Sequence, residues 1–354
     1  MSKSRRYAIV GLCALFFIVL LTWYFSRSAP VAVAVAPAIA HGYAKALKQA
    51  RNGEPGAARV LYQQLGRPDL TDERRAALHA ELHNYPSPQA LKLADKDLIN
   101  ESPVVREAAI HSIVGLVPTG QRTLLLGPAL DDPEQSVRFA AANALLGLSP
   151  DTLGLYFGPL QQVLDEFVKY LKAQPETAEG WIQLARLYIH SALLPEAQQA
   201  LEQAMRLQPD NLQAVVAQIE LLDKQGKTDE SRQLLARQLA SHPESAYLQH
   251  ALGMWLLHHG ERPYALLGLS KAVELEPDNQ DYRYDLATTL HDQQELEAAQ
   301  RQLEEIVQRH PANRKARVLL VNYWKESGQL QNVQVLLAQL EQQNPDDPAL
   351  QQGL

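Results

Sequence analysis

The chain has little of what most redox, catalytic or nucleic-acid-binding proteins need. Its 354 residues contain one cysteine, Cys13, so neither an intrachain disulfide nor a C-x-x-C-H haem-attachment motif can form. The patterns G-x-x-x-x-G-K-[ST], G-x-G-x-x-G and G-x-S-x-G are missing. The net charge of −7 argues against a nucleic-acid partner, which would call for a basic surface. We therefore predict no catalytic, cofactor-binding or metal site, and no enzyme activity.

Signals for β-structure are also scarce. The chain has few glycines and few patterns that predict a β-hairpin. Ala, Leu, Gln and Glu dominate instead, and all four are strong helix formers. A hydrophobic content of 46% with 21% charged residues is enough for a large core. The composition predicts an all-α protein.

One long apolar run lies near the N-terminus. Residues 7–25 read YAIVGLCALFFIVLLTWYF and carry no charge. As a helix they would span roughly 28 Å, close to the hydrocarbon thickness of a bilayer. More basic residues precede the run than follow it, which predicts that residues 1–6 are cytoplasmic. We expect a single-pass signal anchor in a bacterial inner membrane, with the bulk of the chain in the periplasm.

A cleaved signal peptide is the alternative interpretation of this run. Residues 32–34 (AVA) and 38–40 (AIA) both look like small-residue cleavage sites. They lie well beyond the end of the run, which is longer than a usual signal core, so we favour the anchor. Residues 26–42, rich in Ala, Val and Pro, are then predicted to be a linker.

Residues 43–157 contain a period of 32 residues. Arg74, Arg106 and Arg138 are spaced at this interval, and each is followed by a pair of alanines. Small alanines let two helices approach closely, and the recurring arginine can tie neighbouring turns together. The segments LINESPVVREAAIHSIVGL and ALDDPEQSVRFAAANALLGL resemble HEAT-like helical repeats. Ordinary Ala-rich amphipathic helices are the alternative.

Residues 158–354 contain a stricter period. A proline recurs every 34 residues, at Pro175, Pro209, Pro243, Pro277, Pro311 and Pro345. Thirty-four residues is the length of one tetratricopeptide helix-turn-helix unit. The first full unit reads EGWIQLARLYIHSALLPEAQQALEQAMRLQPDN and resembles the tetratricopeptide pattern, with Trp181 as its large aromatic residue. The resemblance covers five units in residues 175–345 and implies an α-α superhelix, since one unit cannot bury its own apolar face.

Packing and turn positions recur within these units. Small residues on the second helix, where the first helix packs, are Ala197, Ser231, Ala265, Ala299 and Val333. Their partners on the first helix are Ala185, Ile219, Gly253, Ala287 and Val321. Gly226, Gly260 and Gly328 suit a left-handed helix end. Ala192 and Gln294 replace this glycine in two units, so we expect those two turns to differ. Residues 159–173 leave little slack between the two regions, which favours one continuous stack.

The resemblance also predicts where a partner would bind, because the first helix of each such unit lines the concave face. The predicted groove residues are Arg186, His190, Glu220, Tyr247, His250, Met254, Tyr284, Thr288, His291, Asn322 and Lys325. Aromatic and polar side chains of this kind suit a protein or peptide partner. The Lys and Asn residues of the family's carboxylate clamp are missing, since its positions hold Glu179, Ile182, Arg186, Gln213, Val216 and Glu220.

Two histidines at helical spacing are the closest approach to a metal motif. His79 and His83 are four residues apart, with Glu81 between them. The spacing suits zinc, but no third ligand is evident and the order is not H-E-x-x-H. We expect both histidines to face solvent.

The order of anchor, linker and two helical stacks predicts a membrane-anchored periplasmic scaffold for protein or peptide partners. The chain from Tyr43 onward resembles the HEAT and tetratricopeptide portion of some periplasmic multihaem cytochrome proteins, without their haem motifs. That resemblance implies a role in cytochrome or envelope-complex assembly. The alternative is a structural subunit of an exopolysaccharide-export or secretion machine.

Overall fold

The computed structural model describes residues 42–174 and 176–351, which belong to one compact unit. Every regular element in the described ranges is helical, which confirms the all-α prediction. The predicted cytoplasmic tail, the signal anchor at 7–25 and nearly all of the linker lie outside the described residues, as does Pro175. None of the helices within 42–174 and 176–351 combines the length and the apolar character needed to cross a bilayer.

The first part of the unit, residues 43–173, is here called the head. Its helices are α1 (Tyr43–Arg51), α2 (Ala57–Leu65), α3 (Asp72–His79), α4 (Pro88–Asp97), α5 (Pro103–Leu116), α6 (Thr119–Leu126), α7 (Gln135–Leu145), α8 (Pro150–Leu153) and α9 (Phe157–Ala173). Three short 3-10 turns interrupt them at Leu82–Asn84, Gly127–Asp131 and Gly154–Tyr156. One apolar cluster runs through the head and includes Leu187 of the following helix. The two stacks therefore follow each other without a break in packing.

The second part consists of five helix pairs and a short last helix. The pairs are α10 (Ala178–His190) with α11 (Leu194–Leu207), α12 (Leu212–Lys224) with α13 (Thr228–Ser241), α14 (Ala246–His258) with α15 (Arg262–Leu275), α16 (Gln280–Asp292) with α17 (Leu296–Arg309), and α18 (Arg314–Glu326) with α19 (Leu330–Gln343). Helix α20 (Pro348–Gln351) follows. Two antiparallel helices per 34 residues are what the proline period predicts.

The first helix of every pair starts at a side-chain cap. The hydroxyl or amide oxygen of the cap residue accepts a hydrogen bond from a backbone amide of the first turn, at Thr177, Asn211, Ser245, Asn279 and Asn313. These positions also repeat every 34 residues. Such caps satisfy amides that have no partner within the helix and are worth about 1 kcal/mol each.

The small-residue positions inside the pairs are buried, as the sequence pattern predicts. Ala197, Ser231, Ala265 and Ala299 have no exposed surface, and Val333 is also buried. A further close approach occurs between α14 and α15. A Cβ atom added to Gly268 would lie 2.8 Å from the carbonyl oxygen of Gln249 and 2.9 Å from the amide nitrogen of Gly253. The two backbones therefore touch where neither residue has a side chain.

The turn between the two helices of each pair has the same left-handed backbone conformation in all five pairs. Gly226, Gly260 and Gly328 have positive φ angles of 74°, 78° and 74°, as predicted. Ala192 and Gln294 also have positive φ, at 56° and 66°, so the expectation that their turns differ is wrong. The backbone keeps one turn geometry because the second helix must pack on the first at the same angle, and the non-glycine residues carry the strain.

Recurring arginines connect successive segments of the head. Arg106 pairs with both carboxylate oxygens of Asp132 at 2.8 Å and also donates to two backbone carbonyls. Arg138 repeats this pattern with Glu166. The expected third copy, Arg74, is exposed and lies over the ring of Tyr43. Its neighbour Arg75 instead pairs with Asp97 and donates to two backbone carbonyls, so the first copy is shifted by one residue. The resemblance to HEAT repeats stays a prediction.

The two ends of the described unit meet. Residues 52–56 and 84–86 of the head contact residues 311–314 and 342–347 of the last pair, and this contact is here called the seam. The Gly56 amide donates to the Gln342 carbonyl at 2.7 Å, and the Asn344 side-chain amide donates to the Pro86 carbonyl at 2.7 Å. Such a contact joins residues more than 250 positions apart. The sequence pattern gave no indication of it.

Candidate functional site

The predicted groove residues lie on the first helices of the five pairs, and none of them is buried. Helix α10 carries Arg186 and His190, α12 carries Glu220, α14 carries Tyr247, His250 and Met254, α16 carries Tyr284, Thr288 and His291, and α18 carries Asn322 and Lys325. The structure gathers them into an end beside the head, a middle stretch and an end at the seam.

The first end is a cavity of about 590 Å³ between the head and the first two pairs. Its lining includes three of the predicted residues, Arg186, His190 and Glu220, together with Phe167 of α9. The ring nitrogen Nε2 of His190 also accepts a long hydrogen bond, 3.4 Å, from the Gly147 amide. Cationic, anionic and aromatic groups therefore face one space.

The middle stretch is formed by Tyr247, His250 and Met254 of α14. Burial raises the pKa of the Tyr247 phenol, and the positive charge of Arg186 partly opposes this shift. The side chains of Arg186 on α10 and Tyr247 on α14 are therefore close enough to interact electrostatically. Met254 is 42% exposed. Together they offer an apolar and polarisable surface beside a cation, which suits a peptide.

Histidine–carboxylate pairs connect successive first helices along this stretch. Nε2 of His250 lies 2.8 Å from Oδ2 of Asp285, and Nε2 of His291 lies 2.7 Å from Oε2 of Glu326. Each pair spans 35 residues, one unit plus one position. The ring of His291 also stacks on Tyr323 at a centroid distance of 4.1 Å. These two predicted groove residues are therefore already engaged, and they fix the spacing between units.

The other end is a cavity of about 730 Å³ at the seam. Tyr284 and Asn322 are the predicted residues that line it. The ammonium of Lys315 lies 3.7 Å from the centroid of the Tyr284 ring, a close cation–π contact. Arg51 and Asn84 line the opposite wall from the head. Sequence reasoning missed these head residues because nothing local marks a contact across the seam.

A buried polar network in the head was also missed. The Oγ of Ser112 lies 2.9 Å from Nδ1 of His79, and Nε2 of His79 lies 2.8 Å from Oδ2 of Asp97, which also pairs with Arg75. The arrangement resembles a serine hydrolase triad in connectivity. All three residues are at most 3% exposed, and Ser112 also contacts the carbonyls of His79 and Ala108. Because the three side chains are buried and come from three helices, we interpret the network as a structural link between α3, α4 and α5.

The expectation that both histidines face solvent is therefore wrong for His79, which is 1% exposed. His83 is exposed, with Nδ1 2.8 Å from the Ala80 carbonyl. His79 lies on the inward face of α3, opposite Arg74. The hydrogen bond to Asp97 offsets the cost of burying a polar imidazole.

Comparison with known families agrees with the geometry of the pairs. Two tetratricopeptide-repeat family models match residues 193–254 and 265–335. The chain therefore carries tetratricopeptide repeats in this part, within a stack of helical hairpins.

A curated relative is the uncharacterized protein y4yS of Sinorhizobium fredii, 30% identical over 101 residues. The match covers 28% of this chain and 56% of that protein, so the chain spans little more than half of the relative's length.

Solved structures with a similar arrangement include that of YrrB, described as a TPR protein with an unusual peptide-binding site. It is 19% identical, covers 53% of this chain and 97% of its own, and gives a TM-score of 0.37. A MamA structure is 14% identical, with coverage of 47% and 91% and a TM-score of 0.38. PilF of Pseudomonas aeruginosa is 18% identical, with coverage of 55% and 89% and a TM-score of 0.38. Scores of this size carry no functional inference.

Proposed function

We propose that the protein is a helical-repeat scaffold that holds a protein or peptide partner along the first helices of its tetratricopeptide units. The observation that supports this is the line of eleven side chains on α10, α12, α14, α16 and α18, none of them buried, which runs between two cavities. The lining mixes cations, anions, amides and aromatic rings. Such a surface can satisfy both the backbone and the side chains of a peptide.

The scaffold is proposed to act at the periplasmic face of a bacterial inner membrane, held there by residues 7–25. The support is the uncharged apolar run and its preceding basic residues. The process we propose is envelope-complex assembly, cytochrome assembly included. A negatively charged chain with one cysteine, and that cysteine inside the run, suits a partner-holding role that needs no disulfide or haem of its own.

The binding surface can be tested by site-specific photo-crosslinking in cells. A photoreactive residue in place of Met254 on the groove should crosslink a partner. The same residue in place of Tyr264, which is 61% exposed on the second helix α15, should not. Equal crosslinking from both positions would show that contact is not confined to the groove.

The contribution of the aromatic residues can be tested with Tyr247→Ala combined with Tyr284→Ala. Loss of both rings should lower partner capture at least about tenfold, since large aromatic side chains commonly dominate such contacts. Tyr264→Ala is the matched control, because it removes the same ring from an outward-facing site. Circular dichroism melting checks that the double variant remains folded. If the double variant is folded and still captures the partner as well as the wild type, the partner does not bind along this groove.

The location can be tested separately by protease treatment of spheroplasts. The repeats should be digested when the outer membrane is opened while the inner membrane stays intact. A protected C-terminal part would contradict the periplasmic location and leave the binding surface unaffected.

A further inference from the structure

Several hydrogen bonds run across the seam. Besides the two hydrogen bonds from Gly56 and Asn344, the Gln343 side chain donates to the Gly53 carbonyl, and the Arg314 amide lies 3.4 Å from Oδ1 of Asn84. Arg314 in turn pairs with the buried carboxylate of Asp347 at 2.5 and 2.6 Å. Interfaces of this polar kind resemble the contacts between mobile domains more than they resemble a core.

Apolar packing stops on either side of the seam. The head cluster includes Ala57 and Leu61, and the last pair has its own cluster around Leu320 and Leu336. Among the residues in the described ranges, none of the six apolar clusters contains members from both sides. Separating the two sides therefore exposes little shared apolar surface, which is the main term that holds folded segments together.

Polar atoms that lack partners are buried in the seam and next to it. Arg317 is 3% exposed, and neither its Nε nor its Nη1 atom has a hydrogen-bond partner within residues 42–174 and 176–351. The Oδ1 atom of Asn344 is likewise buried without a donor. Burial lowers the pKa of Arg317, and its charge acts on the phenol of Tyr85 across the seam. Water would satisfy these atoms once the seam opens, so closure carries a penalty that opening relieves.

From these observations we infer that residues 52–56 and 84–86 are a releasable docking surface for the last tetratricopeptide pair, and that the unit alternates between a closed and an open form. In the closed form the head supplies Arg51 and Asn84 to the wall of the cavity that contains Tyr284. Opening removes that wall and exposes α16 and α18 to a larger partner. This consequence for partner access rests on the proposed function, whereas the movement itself does not.

Hydrogen exchange of the full chain, without any partner, tests the movement. Segments that contain the Gly56 and Arg314 amides should exchange about tenfold faster or more than α5, where Ile110 and Ile113 are fully buried, since local opening needs less free energy than global unfolding. Exchange of all three segments at one rate would mean that the seam opens only when the whole unit unfolds, and would overturn the inference.

A reversible lock provides the second arm. The pair chosen is Pro86→Cys with Asn344→Cys, in a chain with Cys13→Ser, because the Asn344 side chain reaches the backbone carbonyl of Pro86 at 2.7 Å and the two positions therefore meet across the seam. Oxidation should slow exchange at Gly56 and Arg314 to the rate of α5, and reduction should restore it. If the disulfide forms but hydrogen exchange of these amides is not slowed, the inference is contradicted, because their exchange would then not depend on opening of the seam.

A forced opening provides the third arm. A Cβ atom on Gly53 would lie 2.6 Å from the Pro311 carbonyl oxygen, so Gly53→Ala should open the seam and increase the radius of gyration in small-angle scattering. Gly147→Ala is the matched control, because Gly147 also has positive φ but faces open space. The inference fails if the two variants scatter alike. If Gly53→Ala loses helix content instead, the disulfide arm decides.

The partner assay then separates the two proposals. If position 254 still crosslinks a partner but the seam amides exchange no faster than those of α5, the scaffold function stands and only the opening movement is refuted. Fast seam exchange without any crosslink would do the reverse.

Discussion

At the scale of single residues, the left-handed turns show how backbone geometry overrides residue preference. Ala192 and Gln294 adopt a conformation that an L-residue tolerates poorly, in the place where three other units have glycine. The strain persists because the two helices that each turn joins are packed against each other and fix its path. Positions of this kind are where a single substitution can stabilise the fold without touching its contacts.

Gln294→Gly should therefore raise the free energy of unfolding by up to about 1 kcal/mol, since relief of left-handed strain exceeds the added freedom of the unfolded chain. The reverse change, Gly226→Ala, should lower it by a similar amount because Gly226 has φ of 74° and open space around it. Urea denaturation measures both. Destabilisation by Gln294→Gly would show that its side chain contributes more than the turn strain.

The buried network of the head gives a residue-scale dependence on pH. Burial raises the pKa of Asp97, but hydrogen bonds from His79 and Arg75 outweigh it, and the pKa lies below its ordinary value. A lowered pKa in the folded state means that the stabilisation is complete above the unfolded pKa of about 3.9 and is lost as the pH falls through the folded pKa.

Asp97→Asn should therefore be clearly less stable than the wild type at neutral pH, by about 3 kcal/mol if the buried Arg75 is left unpaired. The difference should begin to shrink as the pH falls below about 3.9, where the carboxylate of the unfolded chain takes up a proton, and should disappear once the pH is below the lowered folded pKa. Asp95→Asn, an exposed site on the same helix, serves as the control and should behave like the wild type. A difference that stays constant with pH would contradict the assignment of the stabilisation to the carboxylate charge.

At the scale of elements, helix pairs are held by close approach within a unit and by side-chain pairs between units. The contact of α14 with α15 depends on Gly253 and Gly268, whose backbones leave no room for a Cβ atom. Between units, the His250–Asp285 and His291–Glu326 pairs connect first helices at the same face. One close backbone contact of the stack thus lies next to Met254, on the surface that is proposed to bind a partner.

Gly268→Ala should destabilise the protein by about 1–3 kcal/mol, although alanine favours helix formation, because the new methyl group meets the backbone of Gln249 and Gly253. Gly120→Ala, at a helical site with open space, should be neutral or slightly stabilising. Thermal melts of the two variants provide the comparison. A neutral Gly268→Ala would mean that α14 and α15 can separate without loss.

At the scale of the whole unit, stability is divided among neighbouring clusters. The head cluster around Leu61 and the last cluster around Leu303 are separate, and the seam is their direct contact, in addition to the helix pairs that lie between them in the chain. A repeat stack of this kind gains its stability from successive interfaces, so its parts can unfold at different free energies.

Leu303→Ala and Leu61→Ala should each cost about 2–5 kcal/mol, since both side chains are fully buried. Hydrogen exchange should show the loss of protection mainly in α16 to α19 for the first variant and mainly in the head for the second. Uniform loss across residues 42–351 in either variant would show that the unit unfolds as a single cooperative block.

The periodic features were predictable from the sequence because each depends on residues within one unit. The 34-residue interval set the helix pairs, the buried small residues such as Ala197 and Ala265, and the glycine turns. Helical spacing placed the predicted groove residues outside the core of the first helices, and their role in binding a partner stays a prediction. The same reasoning missed the side-chain caps, although Asn211 and Asn279 repeat at the same interval.

Only the tertiary structure decided that Arg75 rather than Arg74 makes the recurring contact, that His79 is buried against Asp97, and that the seam places Gly53 against Pro311. The first two depend on a shift of one residue, which turns a side chain by about 100° around a helix axis. The third depends on small rotations between successive units that add up over the stack. Local sequence fixes each hairpin, but the sum of those rotations decides whether the two ends meet.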